Sequence, residues 1–94
     1  MNTESKIRKM YTAWRTLNGN RAPNRAVVKM AWEDGNNCEK GWQYDTIALT
    51  RVPLNDDDAI LFYASGLKGL LSLLKPNNGS DFVVLDVEKF YYQR

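Results

Sequence analysis

Arg21, Arg25 and Lys29 follow one another at intervals of four residues, across a loop marked by Gly19, Asn20, Pro23 and Asn24. Guanidinium groups on such a loop can grip a phosphate or a carboxylate through two parallel N–H donors. A few residues further on, Glu33, Asp34 and Glu39 form an acidic counterpart. Asp56-Asp57-Asp58 offers three carboxylates in a row. Consecutive side chains point in different directions, so these acids suit the positive end of a helix better than a divalent cation. Phe90-Tyr91-Tyr92 near the C-terminus is the third cluster. Strand alternation puts Phe90 and Tyr92 opposite Tyr91, on a side expected to be exposed, and tyrosine is enriched at binding hot spots.

Other chemistries are excluded by inventory. The chain has no histidine. That removes the commonest general base, the commonest transition-metal ligand and the histidine-dependent nucleophilic triads. Cys38 is the single cysteine, so an internal disulfide and the usual structural zinc sites are ruled out, and a reducing compartment is expected. Asn78-Gly79-Ser80 has the glycosylation pattern but reads as a turn. The most apolar stretch, 59–74, is interrupted by Gly66, Lys68, Gly69 and Ser72 and is too short to span a bilayer.

The 94 residues suit one α+β domain, with 44% hydrophobic and 26% charged residues. The net charge of +2 conceals a split. Residues 1–30 carry Lys6, Arg8, Lys9, Arg15, Arg21, Arg25 and Lys29 against Glu4 alone, whereas 31–60 carry Lys40 and Arg51 against seven acids.

Ile7, Met10, Tyr11, Trp14 and Leu17 form one helical stripe, predicting a helix over 3–18 capped by Thr3 or Ser5 and ended by Asn18-Gly19-Asn20. Residues 26–32 fit a strand, with a helix as the rival reading. Over 42–52, Trp42 and Tyr44 share one face and Ile47 and Leu49 the other, which calls for a bulge near Asp45-Thr46 or for cover on both sides. A second helix is expected from Asn55 to Leu74; the rival makes 59–63 a strand and starts the helix at Ser65. The last strand, 81–91, is expected to put Val83, Leu85, Val87 and Tyr91 on one face. The predicted order is α-β-β-α-β, a three-stranded, mostly antiparallel sheet with both helices on one face.

Gly66-Leu67-Lys68-Gly69 has the form of the G-x-x-G loop that clamps nucleotides in KH domains, and that resemblance would make Lys68 a phosphate contact. The chain departs from the family in its flanking spacing and at Ser72. The preferred reading is that the glycines let helix and sheet approach closely.

The function expected is a non-catalytic protein-binding module, a small cytoplasmic inhibitor or adaptor of a larger protein or nucleoprotein machine. The profile resembles phage-encoded inhibitors of host or defence machinery, such as anti-CRISPR proteins, a likeness of class carried by no shared motif. Its expected contact residues are Arg21, Arg25, Lys29, Glu33, Asp34, Glu39, Phe90 and Tyr92. The alternative is a small nucleic-acid-binding protein using Arg21, Arg25, Lys29 and Lys68. An enzyme built on Asp and Lys or Tyr is a third class, without a motif. No catalytic residue, metal ligand, cofactor or membrane partner is expected. A homodimer through the C-terminal edge strand is a further expectation.

Overall fold

A computed structural model describes residues 2–34, 39–50 and 62–94. The Asp56-Asp57-Asp58 cluster, its Asn55 cap and Cys38 lie outside these residues. Helix α1 (Thr3–Leu17) starts one residue earlier than the Thr3 or Ser5 cap expected: Asn2 Oδ1 accepts from the Ser5 N–H at 2.8 Å. Gly19 (φ 65°) and Asn20 (φ 64°) turn the chain out of the helix. The next element is strand β1 (Arg25–Trp32), which settles the ambiguity at 26–32 in favour of the strand.

Strand β2 (Gln43–Ala48) pairs antiparallel with β1 without a register shift, so no bulge exists at Asp45-Thr46. The change of rhythm there is ordinary alternation. Ile47 faces the core and Tyr44 faces the other way, 54% exposed. Strand β3 (Phe62–Tyr63) then pairs parallel with β2. This corrects two expectations. Phe62 and Tyr63 belong to a strand, not to the second helix, and the sheet among the described residues is four-stranded and mixed, in the order β3-β2-β1-β4. A two-residue strand presents too short a pattern to compete with the i+3/i+4 spacing running through it.

Helix α2 (Gly66–Ser72) begins where the rival reading put it, beyond Ser65. Gly66 sits at φ +68°, a conformation that side-chain-bearing residues avoid. A Cβ on Gly69 would lie 3.3 Å from Ser65 Cβ and 3.4 Å from the Ala64 carbonyl carbon. The glycine pair therefore shapes the tight exit from β3 into α2. Asn78 ties down the following turn. Its Nδ2 donates toward the carbonyls of Leu73, Lys75 and Phe82 at 3.1, 2.9 and 3.2 Å, and its Oδ1 accepts from the Ser80 N–H.

Strand β4 (Phe82–Tyr91) completes the sheet, antiparallel to β1, with two register shifts. These shifts change which residues face inward. Phe82, Val84, Val87 and Phe90 are buried, while Leu85 is 41% exposed. The expected Val83-Leu85-Val87-Tyr91 face is thus corrected: each shift adds one residue and resets the alternation. The core lies between one sheet face and the two helices. Ile7, Val28, Met30, Ile47, Leu70, Leu71 and Val84 fill it, and at its end Phe82 packs edge to face against Trp32 and Phe62, which are tilted against each other. Among the described residues no helix is long and apolar enough to cross a membrane.

Candidate binding face

Both helices cover the face of β1 that carries Ala26, Val28 and Met30, each fully buried. Val27, Lys29 and Ala31 alternate with them and face the opposite way. On that face Lys29 stands beside Tyr44 of β2 and Asp86 of β4, Val27 beside Thr46 and Lys89, and Tyr63 beside Ala48, which pairs with Arg25. Ala48 and Arg25 are buried, and the face is open around Lys29 and Tyr44 and at Tyr63. Trp42 lies two residues before Tyr44, and their rings meet edge to face at 5.3 Å and 79°.

Lysines are interleaved with these rings. Lys29 Nζ lies 4.4 Å from the centre of the Trp42 ring, and Lys40 Nζ lies 5.3 Å from it. Lys89 Nζ lies 5.5 Å from the Tyr91 ring. Each ammonium is drawn to the electron-rich ring face. Tyr44 and Tyr63 remain 54% and 56% exposed. Asp86 is the acidic neighbour of Lys29, and it is already engaged by Lys6 Nζ at 2.7 Å. Burial pushes its pKa up most strongly of any single influence. The hydrogen bonds from Lys6 and the Val87 N–H, with the charges of Lys6 and Lys29, together outweigh it and hold the carboxyl below its ordinary value.

The residues expected to make contacts are distributed differently. Arg21 and Tyr92 are brought together, the guanidinium 4.7 Å from the ring centre. Reciprocal hydrogen bonds between Asn24 and Gln93 hold the C-terminus against that loop. Arg25 is buried, 4% exposed, and its Nη1 donates to Asn24 O at 3.0 Å. Phe90 is also buried, 5% exposed, and packs edge-on against Tyr11 at 5.4 Å, so it belongs to the core and not to a surface. Glu33 and Asp34 lie at the far end of β1, beside a cavity of about 290 Å³ also lined by Trp32, Ser80 and Asp81. Glu33 Oε1 accepts from the Asn77 N–H there. Glu39 is exposed in the turn before β2, and Lys68 is exposed on α2, on the helical side of the sheet.

Of the expected contact residues, Lys29 and Arg25 share this face of β1, and Arg25 is buried there beside Ala48 and Tyr91, which leaves Lys29 beside the exposed rings. Trp42, Tyr44, Tyr63, Lys40 and Lys89 were not anticipated as site residues. A signal for two of them was present. Trp42 and Tyr44 alternate with Ile47 and Leu49, and a strand with large apolar groups on both faces must bury one set and show the other. Strand β4 is an edge strand, but part of its outer edge is occupied: the Val84 N–H donates to Leu73 O at 2.8 Å. That contact and the two register shifts are features that blunt edge-to-edge pairing. No known family model, curated protein or solved structure matches this chain, so its functional reading rests on the geometry of this face.

Proposed function

We propose that the chain is a non-catalytic binding module, an inhibitor or adaptor of a larger protein or nucleoprotein assembly, and that it docks through the open face of its sheet. The observation that carries this is the exposure of Tyr44 and Tyr63 on one sheet face, with Tyr44 against Trp42; Lys29 and Lys40 lie on the Trp42 ring and Lys89 on the Tyr91 ring. A sheet with one face solvated normally alternates apolar-in with polar-out. Large rings on the solvated side contribute nothing to the core, and rings of this kind supply binding energy on a rigid platform. The complete absence of histidine supports recognition over acid–base chemistry.

The test is affinity capture from the native cells, without nuclease, using the intact chain and a Tyr44→Ala/Lys29→Ala variant. A stoichiometric component held by the first and lost by the second is expected. Equal capture by both chains, or capture of nothing by either, would overturn the assignment of this face.

A further inference from the structure

The docking face just described has a composition that discriminates between partners. Protein interfaces favour Tyr, Trp and Arg but are depleted in Lys at their centres. Among the described residues, Lys29 and Lys40 are seated against Trp42 on the open face and Lys89 against Tyr91. The arginine stacked on a ring, Arg21 on Tyr92, sits at the loop end of the sheet. Ammonium groups beside exposed rings are what an unpaired nucleic-acid strand requires. Its bases present flat π faces to aromatic side chains, and its phosphates follow a positive track. A duplex hides its base faces within the stack and offers such rings nothing to stack on.

Resting on the reading of this face as the docking surface, we propose that it binds single-stranded nucleic acid. Bases stack on Tyr44 and Tyr63, and Lys29, Lys40 and Lys89 neutralise phosphates. Tyr63 stands beside Ala48, four residues along β2 from Tyr44. At roughly 3.3 Å per residue, this separates the two platforms by about 13 Å along the strand. Trp42 meets the Tyr44 ring edge-on and braces it. Asp86 does not cancel the track, because Lys6 approaches it from α1.

The experiment measures fluorescence anisotropy of an end-labelled oligothymidine of about twelve nucleotides, titrated with the full chain at low salt. Binding is expected, stronger than to a duplex of the same length. Three phosphate contacts predict a roughly 20-fold loss of affinity between about 50 and 200 mM salt. Tyr44→Ala is expected to weaken binding on the order of tenfold, and Tyr44→Phe to retain it, since stacking needs the ring and not the hydroxyl. Lys29→Ala is expected to flatten the salt dependence, and Lys9→Ala on α1 to change nothing. Circular dichroism of each variant checks that it is folded. The proposal is overturned by absence of single-strand binding at low salt, by equal or better binding of duplex, or by unchanged affinity in folded Tyr44→Ala. It is likewise overturned if anionic lipid vesicles bind and the oligonucleotide does not. If the oligonucleotide fails while cellular capture still depends on Tyr44 and Lys29, the docking face stands and its occupant is a protein. If capture ignores both residues, the docking face itself is wrong.

Discussion

The two faces of this sheet both carry aromatic rings, yet the rings have opposite fates. On the covered face, Trp32, Phe62 and Phe82 pack against one another beneath the helices, and Phe90 meets Tyr11. On the open face, Trp42 meets Tyr44 and two lysines, while Tyr44 and Tyr63 stay more than half exposed. The chemical difference is small: phenylalanine dominates the covered set, and tyrosine the open one. The difference in surroundings is large. The covered rings replace water with packed carbon, and that burial supports the fold. The open rings keep their water until a partner removes it. Aromatic content alone therefore says little about function; the neighbours of each ring decide.

The sharpest way to break this contrast is to truncate one residue on each side of β1 or β2. Met30→Ala, on the covered face, is expected to cost about 2–5 kcal/mol in urea denaturation, because it empties a fully buried site. Asn78→Ala is expected to cost about 1–3 kcal/mol, because it removes the side-chain donor shared by the carbonyls of Leu73, Lys75 and Phe82. Both variants should leave the intrinsic affinity of the open face unchanged once the folded fraction is taken into account. Tyr44→Ala is expected to behave conversely. Its stability should shift by no more than about 0.5 kcal/mol, since the residue is half exposed, while partner binding falls. A large stability loss at Tyr44 would show that the open face is structural.

The smallest effect sharpens the comparison at its margin, where α1 reaches Asp86. The Asp86 pKa is lower in the folded chain than in the unfolded one, so the carboxylate stabilises the fold at neutral pH. That contribution is fully present above the unfolded value of about 3.9 and is lost as pH falls through the folded value. Both partners are substantially exposed, so Asp86→Asn is expected to cost less than about 1 kcal/mol at pH 7. Thermal melts of the two chains should converge at strongly acidic pH. A gap that persists there would mean that the side chain acts through packing, not charge.

Much of the fold was legible from local pattern. The stripe Ile7-Met10-Tyr11-Trp14 marked α1, and Asn18-Gly19-Asn20 marked its end, because helix periodicity and left-handed caps are local properties. The strand at Arg25–Trp32 followed from alternation of two residue sets. Strand β3 was not legible as the preferred reading, since its partner β2 is distant in sequence and parallel pairing leaves no hairpin signature. The faces of β4 were not legible either. Its two register shifts turn Phe90 inward and Leu85 outward, and a bulge is set by the neighbouring strand. For the same reason the site was only partly visible: Lys29 was found, but its aromatic neighbours come from β2, β3 and the turn before β2.

By itself, the sequence determined composition, the loss of histidine chemistry, the split of charge and the local shape of the helices and of β1. Those depend on residue identity and near neighbours. Tertiary structure alone decided which aromatic rings would be covered and which would stand beside lysines. That choice depends on how strands separated by tens of residues are brought side by side, and on which of two apolar faces the helices bury.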